Sequence, residues 1–166
     1  MVTLHDPPTL ACPNAAWNGA CTNFCPGVTS DDVVSHEWGH AYTQYTSDLV
    51  YAWQPGALNE SYSDVWGESV DLLNGRQTDT PGGLRASDGS ACSTFGTFEG
   101  SLPATDATYR WLVSEDSTSF GGAIRDMWHP ECRFDPGRVG SPSIIARRAT
   151  AAASTPTRAY RIICMP

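Results

Sequence analysis

The segment His36-Glu37-Trp38-Gly39-His40 places two histidines four residues apart, with a glutamate directly after the first. On an α-helix, residues four apart share one face at about 6 Å, so both imidazoles can offer a nitrogen to one metal ion. The glutamate then lies just off that face, beside a water that the metal would hold. The spacing predicts a helix with a metal site; the plain alternative is a solvated helix face carrying three polar residues.

Local signals predict three helices around this motif. Thr29 or Ser30 can cap the first helix, which has two aspartates in its first turn to complement the helix dipole. A second helix is predicted to start at Pro55 and to stop at Asn74-Gly75. A third is predicted over residues 106–116, after a loop rich in Gly, Thr, Ser and Asp.

Composition limits the function classes. Eighteen acidic against ten basic residues give a formal charge of −8, which argues against a nucleic-acid partner. No apolar run has the length needed to cross a bilayer, so we expect no membrane partner. Six cysteines in loop-like stretches favour disulfides over a metal knuckle and indicate an extracellular, oxidising setting. The first residues lack the features of a signal peptide, so we expect secretion with a leader outside this sequence or by another route.

A catalytic zinc needs a third protein ligand, which the second predicted helix can supply. Metzincins have a third histidine six residues after the second, but that residue here is Thr46, so that class is excluded. Glu60 follows His40 by 20 positions and lies in Asn59-Glu60-Ser61-Tyr62-Ser63-Asp64. H-E-x-x-H followed at this distance by N-E-x-x-S-D resembles the thermolysin-like zinc metallopeptidases, the endopeptidase branch of the gluzincins.

The resemblance implies the roles of the central residues. His36, His40 and Glu60 would bind Zn²⁺, and Glu37 would be the general base that takes a proton from the zinc-bound water. The resemblance further implies that Asp64 orients His36 and Asn59 orients His40. It makes Tyr51 a donor to the developing oxyanion and Arg85, in "GGLRASD", the group that holds a substrate carbonyl.

The segment "NAAWNG" resembles the edge strand on which this family aligns its substrates. Asn14 and the backbone of Ala15 would then pair with an extended peptide, with Trp17 as support. Val33 and Leu84 match apolar walls of the pocket that takes the residue just after the cleaved bond. The resemblance therefore implies a preference for an apolar residue at that position.

The family also binds Ca²⁺ between the two helices, at positions that correspond to Asp32 and Asp71. Asp71 lies 11 residues past Glu60, or about 16 Å along a helix, too far to share the zinc. The downstream acidic segment is shorter here than in the family. The sequence thus gives only two candidate calcium ligands.

The fold class expected from the resemblance is α+β, a zincin-like fragment that is mainly helical with a short edge strand. Residues 1–139 would form the central part of a thermolysin-like catalytic domain. Residues 140–166 contain no acidic residue, and with suitably chosen codons for residues 153–163 a shifted reading frame would encode the family's missing H-T-N-S-G segment, so this tail is predicted to be out of frame or disordered. The only histidine after His40 in the sequence is His129, and the residues around it do not match the H-T-N-S-G segment.

Three functions remain from the sequence. The first is a zinc-dependent metalloendopeptidase that cleaves peptide or protein substrates by means of the zinc-bound water. The second is a catalytically inactive zinc-binding remnant of such an enzyme. The third is a disulfide-bearing extracellular binding module in which the motif is accidental. The oligomeric state is left open.

Overall fold

The computed structural model describes residues 2–4, 10–75, 92–93, 104–106, 110–133 and 135–137. Leu84, Arg85 and the tail 140–166 lie outside these ranges. Their predicted roles and the predicted boundary after residue 139 therefore stay predictions.

Two helices form an antiparallel hairpin at the centre of the described chain. Helix α1 spans Asp31–Thr46 and begins at the N-cap Ser30, as predicted. Helix α2 spans Trp53–Asn74 and ends at Gly75, whose left-handed backbone with φ of 63° is the conformation expected at this position. Pro55 lies in the first turn of α2 rather than at its start; there its missing N–H costs no helical hydrogen bond.

Two glycines let the helices approach closely. A Cβ atom at Gly39 would lie 2.9 Å from the Cα of Ser63, and one at Gly67 would lie 2.6 Å from the carbonyl oxygen of Asp32. Larger side chains would separate the helices, because real Cβ atoms are not found at such distances. The side chains of α1 and α2 that face each other are therefore close together.

A small sheet packs beside the amino-terminal half of α1. Its strands are β1 (Val2–Leu4), β2 (Ala15–Trp17) and β3 (Thr22–Phe24), in the order β1-β3-β2. Strand β3 pairs in parallel with β1 and antiparallel with β2, so β2 is an edge strand of this sheet among the described residues, as predicted. A disulfide joins Cys12 to Cys25 on either side of the β2–β3 hairpin, with 5.7 Å between the Cα atoms.

The remaining elements are short. Strands β4 (Cys92–Ser93) and β5 (Ala104–Asp106) pair in parallel, and β6 (Leu112–Val113) and β7 (Arg125–Asp126) pair antiparallel. A 3₁₀ turn follows at Pro130–Arg133. The helix predicted over residues 106–116 is wrong: Trp111 and Ser114 have left-handed backbones, with φ of 63° and 72°, which end any right-handed helix.

The apolar core of the described residues contains two small clusters. One is formed around Phe24 and Val28 beneath the amino-terminal sheet, and the other around Val113 and Met127 beside α2. Several aromatic side chains remain exposed on the outer helix faces, where Tyr42 and Trp66 stack with 5.8 Å between ring centroids. Among the described residues, neither helix is apolar enough over its length to span a bilayer.

Candidate metal centre

Two histidines of α1 and a glutamate of α2 converge where the helices cross. The Nε2 atom of His36 lies 3.6 Å from Oε2 of Glu60, and Nε2 of His40 lies 3.8 Å from Oε1 of the same carboxylate. Ligands about 2.1 Å from a tetrahedral zinc are themselves ~3.4 Å apart, close to these separations. All three donor atoms lie within 4.8 Å of one another, so the site fits one zinc ion.

The second nitrogen of each histidine is held by an oxygen atom on α2. Nδ1 of His36 lies 2.7 Å from Oδ1 of Asp64. Nδ1 of His40 lies 2.7 Å from Oδ1 of Asn59 and 3.1 Å from the hydroxyl of Ser63. Because these oxygens place the imidazole protons on Nδ1, the Nε2 lone pairs point towards Glu60 and are free to bind a metal.

Arg125 of β7 completes the support of His36 and is a residue that the sequence did not reveal. Its Nε and a terminal nitrogen donate to the two carboxylate oxygens of Asp64, at 2.8 Å and 2.5 Å. Both residues are buried, so this bidentate pair is charge-assisted and shielded from solvent. The ion pair fixes the carboxylate that orients His36.

The charges around Asp64 shift the pKa values of its neighbours. Burial alone would raise the pKa of Asp64, but Arg125 and His36 outweigh it and hold that pKa well below its usual range. Burial also lowers the pKa of His36, yet the adjacent Asp64 charge leaves it raised. For His40, burial and the charge of His36 together lower the pKa. Asp64 thus stays a carboxylate beside the metal centre.

Glu37 projects from α1 into the cavities on either side of the histidines. Its side chain is buried, and within the described chain its Oε2 atom has no hydrogen-bond partner. A larger cavity of about 650 Å³ contains Glu37 together with the three candidate ligands. An unpartnered carboxylate at this place can accept a proton from a water molecule in the cleft.

Three of the other residues predicted to act on the substrate line the same cavity. Ala15 begins strand β2, Asn14 directly precedes it, and Tyr51 lies in the connection between the helices. The hydroxyl of Tyr51 donates to Oε1 of Glu60 in this structure. Trp17 is fixed to α1, because its indole nitrogen donates to Oε1 of Gln44 at 2.7 Å.

A second cavity of about 100 Å³ also borders on Glu37. Val33, Phe120 and Ile124 supply apolar side chains to its lining, and Arg125 is among the polar lining residues. Val33 was predicted for such a wall, whereas Phe120 and Ile124 were not.

A separate group of carboxylates lies one helical turn from His36. Oxygens of Asp32, Glu68 and Glu115 come within 4.8 Å of each other. Burial, with the charge of Asp32 next, raises the pKa of Glu115 to about 10; burial likewise raises that of Glu68, and Asp71 adds to both effects. Glu68 is fully buried, and neither of its oxygens has a hydrogen-bond partner among the described residues. In this group the sequence had pointed only to Asp32; its other calcium candidate, Asp71, acts on the group through its charge.

His129 is remote from the cleft. Its backbone N–H donates to Asp126, and its Nδ1 atom lies 2.7 Å from the sulfur of Cys132. Within the described residues, His129 lines neither cavity. It does not replace the histidine missing from the sequence.

Comparison with known proteins agrees with the metal centre. A zinc metalloproteinase of Renibacterium salmoninarum is 37% identical over 135 residues, which are 80% of this chain and 18% of the relative. Bacillolysin of Bacillus subtilis subsp. amylosacchariticus is 36% identical over 117 residues, 66% of this chain and 22% of the relative. An extracellular elastase of Staphylococcus epidermidis is 45% identical over 80 residues, 42% of this chain and 16% of the relative.

The chain therefore spans about a fifth of the length of these relatives. A family model described as "Thermolysin metallopeptidase, alpha-helical domain" matches residues 47–151, more than half of the chain. This range contains α2, with Glu60 and the residues that orient both histidines. The chain belongs to the thermolysin family of metallopeptidases.

Proposed function

We propose that this chain is the central part of a secreted, zinc-dependent endopeptidase. The observation that carries the proposal is the convergence of two Nε2 atoms on one carboxylate, with each Nδ1 atom held by an oxygen of α2. Accidental histidines on a solvated helix face would not be buried, oriented and opposed by a carboxylate. The geometry argues against the binding-module alternative.

His36, His40 and Glu60 would hold the zinc, which when bound supplies a Lewis acid for the scissile carbonyl and makes water more acidic. Glu37 lines the cleft and has an oxygen without a hydrogen-bond partner among the described residues, so we assign it the removal of the proton from the attacking water. It then passes that proton to the departing amine. Tyr51 is placed at the cleft wall to donate to the developing oxyanion once its hydroxyl leaves Glu60.

The substrate would lie as an extra strand on the free edge of β2, next to Asn14 and Ala15. The side chain just after the cleaved bond would enter the small cavity between Val33 and Ile124. Apolar walls and a volume of about 100 Å³ favour an apolar side chain there. Arg85 keeps its predicted role with a substrate carbonyl.

We also propose Ca²⁺ for the carboxylate group beside the zinc site. Oxygen-only donors suit calcium, and buried carboxylates require a cation or protons. Glu68, buried without a hydrogen-bond partner in the described chain, fits such a ligand, with Asp32 and Glu115 beside it and Asp71 close by. A cation here would link α1 and α2 to the segment after β6, since Glu115 lies in that segment and Asp32 also accepts a hydrogen bond from the backbone of Ser114.

The test combines metal analysis with cleavage. The purified chain should bind one zinc and cleave casein or a quenched apolar peptide, and a chelator should stop the cleavage. Glu37→Gln should retain the zinc and lose the cleavage, while Glu131→Gln, an exposed site away from the cavities, should change neither. A chain without stoichiometric zinc would refute the metal centre.

Zinc without cleavage would instead support the inactive remnant. That alternative is favoured by one observation: the sequence has only four histidines, and none lies in the family's H-T-N-S-G segment. The comparison of wild type with Glu37→Gln separates the two. Equal absence of cleavage in both proteins, with equal zinc content, identifies the remnant.

A further inference from the structure

Asp48 stands out among the residues that line the larger cavity. Among the described residues, the lining carries three carboxylates, those of Glu37, Glu60 and Asp48, and no lysine or arginine. The proposed function assigns Glu37 and Glu60 to the metal centre, which leaves Asp48 as the further anionic side chain in this part of the cleft. We propose that Asp48 makes the site select peptides with lysine or arginine two to four residues before the cleaved bond, an inference that rests on the proposed peptidase function.

The two cavities give the direction of the bound peptide. Both are lined by Asn14 and Ala15, and the proposed function assigns the residue after the cleaved bond to the smaller one, against Val33, Phe120 and Ile124. From there β2 runs through Ala16 and Trp17 into the larger cavity. Residues before the cleaved bond therefore lie along the wall that ends at Asp48.

The distance limits which peptide position can reach this carboxylate. Asp48 follows His40 by eight residues, or roughly 12 Å along α1 and its C-cap. Extended peptide covers about 3.3 Å per residue, so Asp48 lies three to four residues from the metal centre. The long side chain of lysine or arginine widens this range to positions two to four.

Asp48 is also held in place and left available for a cation. Its backbone has φ of 47°, and its N–H donates to the carbonyl of Thr43 at 2.9 Å, so the residue closes the end of α1. Its side chain is exposed, and no donor to its carboxylate occurs in the part of the chain that the structure describes. The neighbouring Gln44 cannot substitute for it, because the amide oxygen of Gln44 accepts from Trp17.

The test uses the zinc-loaded 166-residue chain and quenched peptides with a constant apolar residue after the cleaved bond. Lysine, norleucine or glutamate is placed in turn two, three or four residues before that bond. At one of these positions the kcat/KM for lysine should exceed that for norleucine by about two- to fivefold at low salt, the range of an exposed ion pair. The ratio should fall at high salt.

Asp48→Asn is the informative variant, because asparagine tolerates the left-handed backbone while removing the charge. It should bring the lysine-to-norleucine ratio to about one, and Asp48→Gly should do the same. Glu131→Gln removes an equal charge outside the cleft and should preserve the ratio. A lysine preference that survives in Asp48→Asn would overturn the assignment.

Binding measurements keep this inference separate from the catalytic proposal. In a Glu37→Gln background, fluorescence anisotropy gives the Kd ratio of the same lysine and norleucine peptides without turnover. One outcome is that the lysine preference in binding is lost in Asp48→Asn while the protein with its wild-type Glu37 does not cleave the peptides. That outcome supports the selectivity and refutes the peptidase function. Cleavage with a lysine-to-norleucine kcat/KM ratio of one at all three positions refutes only the selectivity. Failure to bind any of the peptides also refutes the selectivity.

Discussion

Gly67→Ala should disrupt the proposed zinc site by forcing α1 and α2 apart. The added Cβ would lie 2.6 Å from the carbonyl oxygen of Asp32 and 3.5 Å from the Cβ of His36. Ordinary contact begins near 3.4 Å, so the helices must separate locally by about 0.8 Å. The obstructing oxygen belongs to the backbone and cannot rotate away.

The expected cost follows from two opposing effects. Overpacking of this kind costs about 1–3 kcal/mol, and the rigid backbone obstacle places it near the upper end. Alanine recovers ~1 kcal/mol through its better helix propensity. A net loss of about 2 kcal/mol lowers Tm by roughly 4–8 °C in a domain of this size.

Zinc affinity should fall more than stability alone predicts. Zinc sites tolerate ligand displacements of only about 0.2 Å, and the separation moves His36 away from Glu60. We expect the zinc Kd, measured by competition with a chelating dye, to weaken by about tenfold or more. Gly75→Ala is the control: its left-handed backbone costs ~1–2 kcal/mol, but its Cβ would meet no atom within 4 Å, so zinc affinity should persist. Wild-type Tm and zinc Kd in Gly67→Ala would refute the reasoning.

Three further outcomes are expected. Asp64→Asn should weaken zinc binding about 10–100-fold, because His36 loses the carboxylate that orients it. It should also lower the unfolding free energy by ~3–5 kcal/mol, because Arg125 keeps its buried charge without a carboxylate. Chelator competition measures the first effect and denaturant titration the second, and unchanged values contradict the orienting role. Calcium at 100 times its Kd should stabilise the chain by about 2.7 kcal/mol in thermal melts, and an equal gain in Glu68→Gln would remove Glu68 from the site. Ile124→Phe should fill part of the small cavity and shift cleavage towards alanine after the scissile bond; an unaltered preference in a peptide library would count against that pocket.

The two helices and the meeting of His36, His40 and Glu60 were predictable because their determinants are local. Capping residues, the stop at Gly75 and the spacing of His36, His40 and Glu60 all act within one helix or across one short connection. The false third helix has the opposite origin. Residues 110–114 read as helical, but pairing of β6 with β7 and the left-handed Trp111 impose an extended turn.

Contacts between residues far apart in the chain could not be predicted from local sequence patterns. Arg125 stands 61 residues from Asp64, so only the folded chain shows that they pair. Glu115 joins Asp32 from a segment that the pattern assigned to a helix, and Glu68 looks like an ordinary solvent-facing residue of α2 in the sequence. Charges that are buried together are recognisable only once the elements that bury them are placed.

The Cys12–Cys25 disulfide has a consequence for how the cleft would fail. The covalent loop encloses β2 and β3, whereas the histidines and Glu60 lie outside it on α1 and α2. Reduction would release the peptide-aligning wall while sparing the ion's ligands. In a reducing environment, peptide binding would therefore weaken before zinc binding does. Redox conditions would then control whether the proposed cleft can bind a substrate.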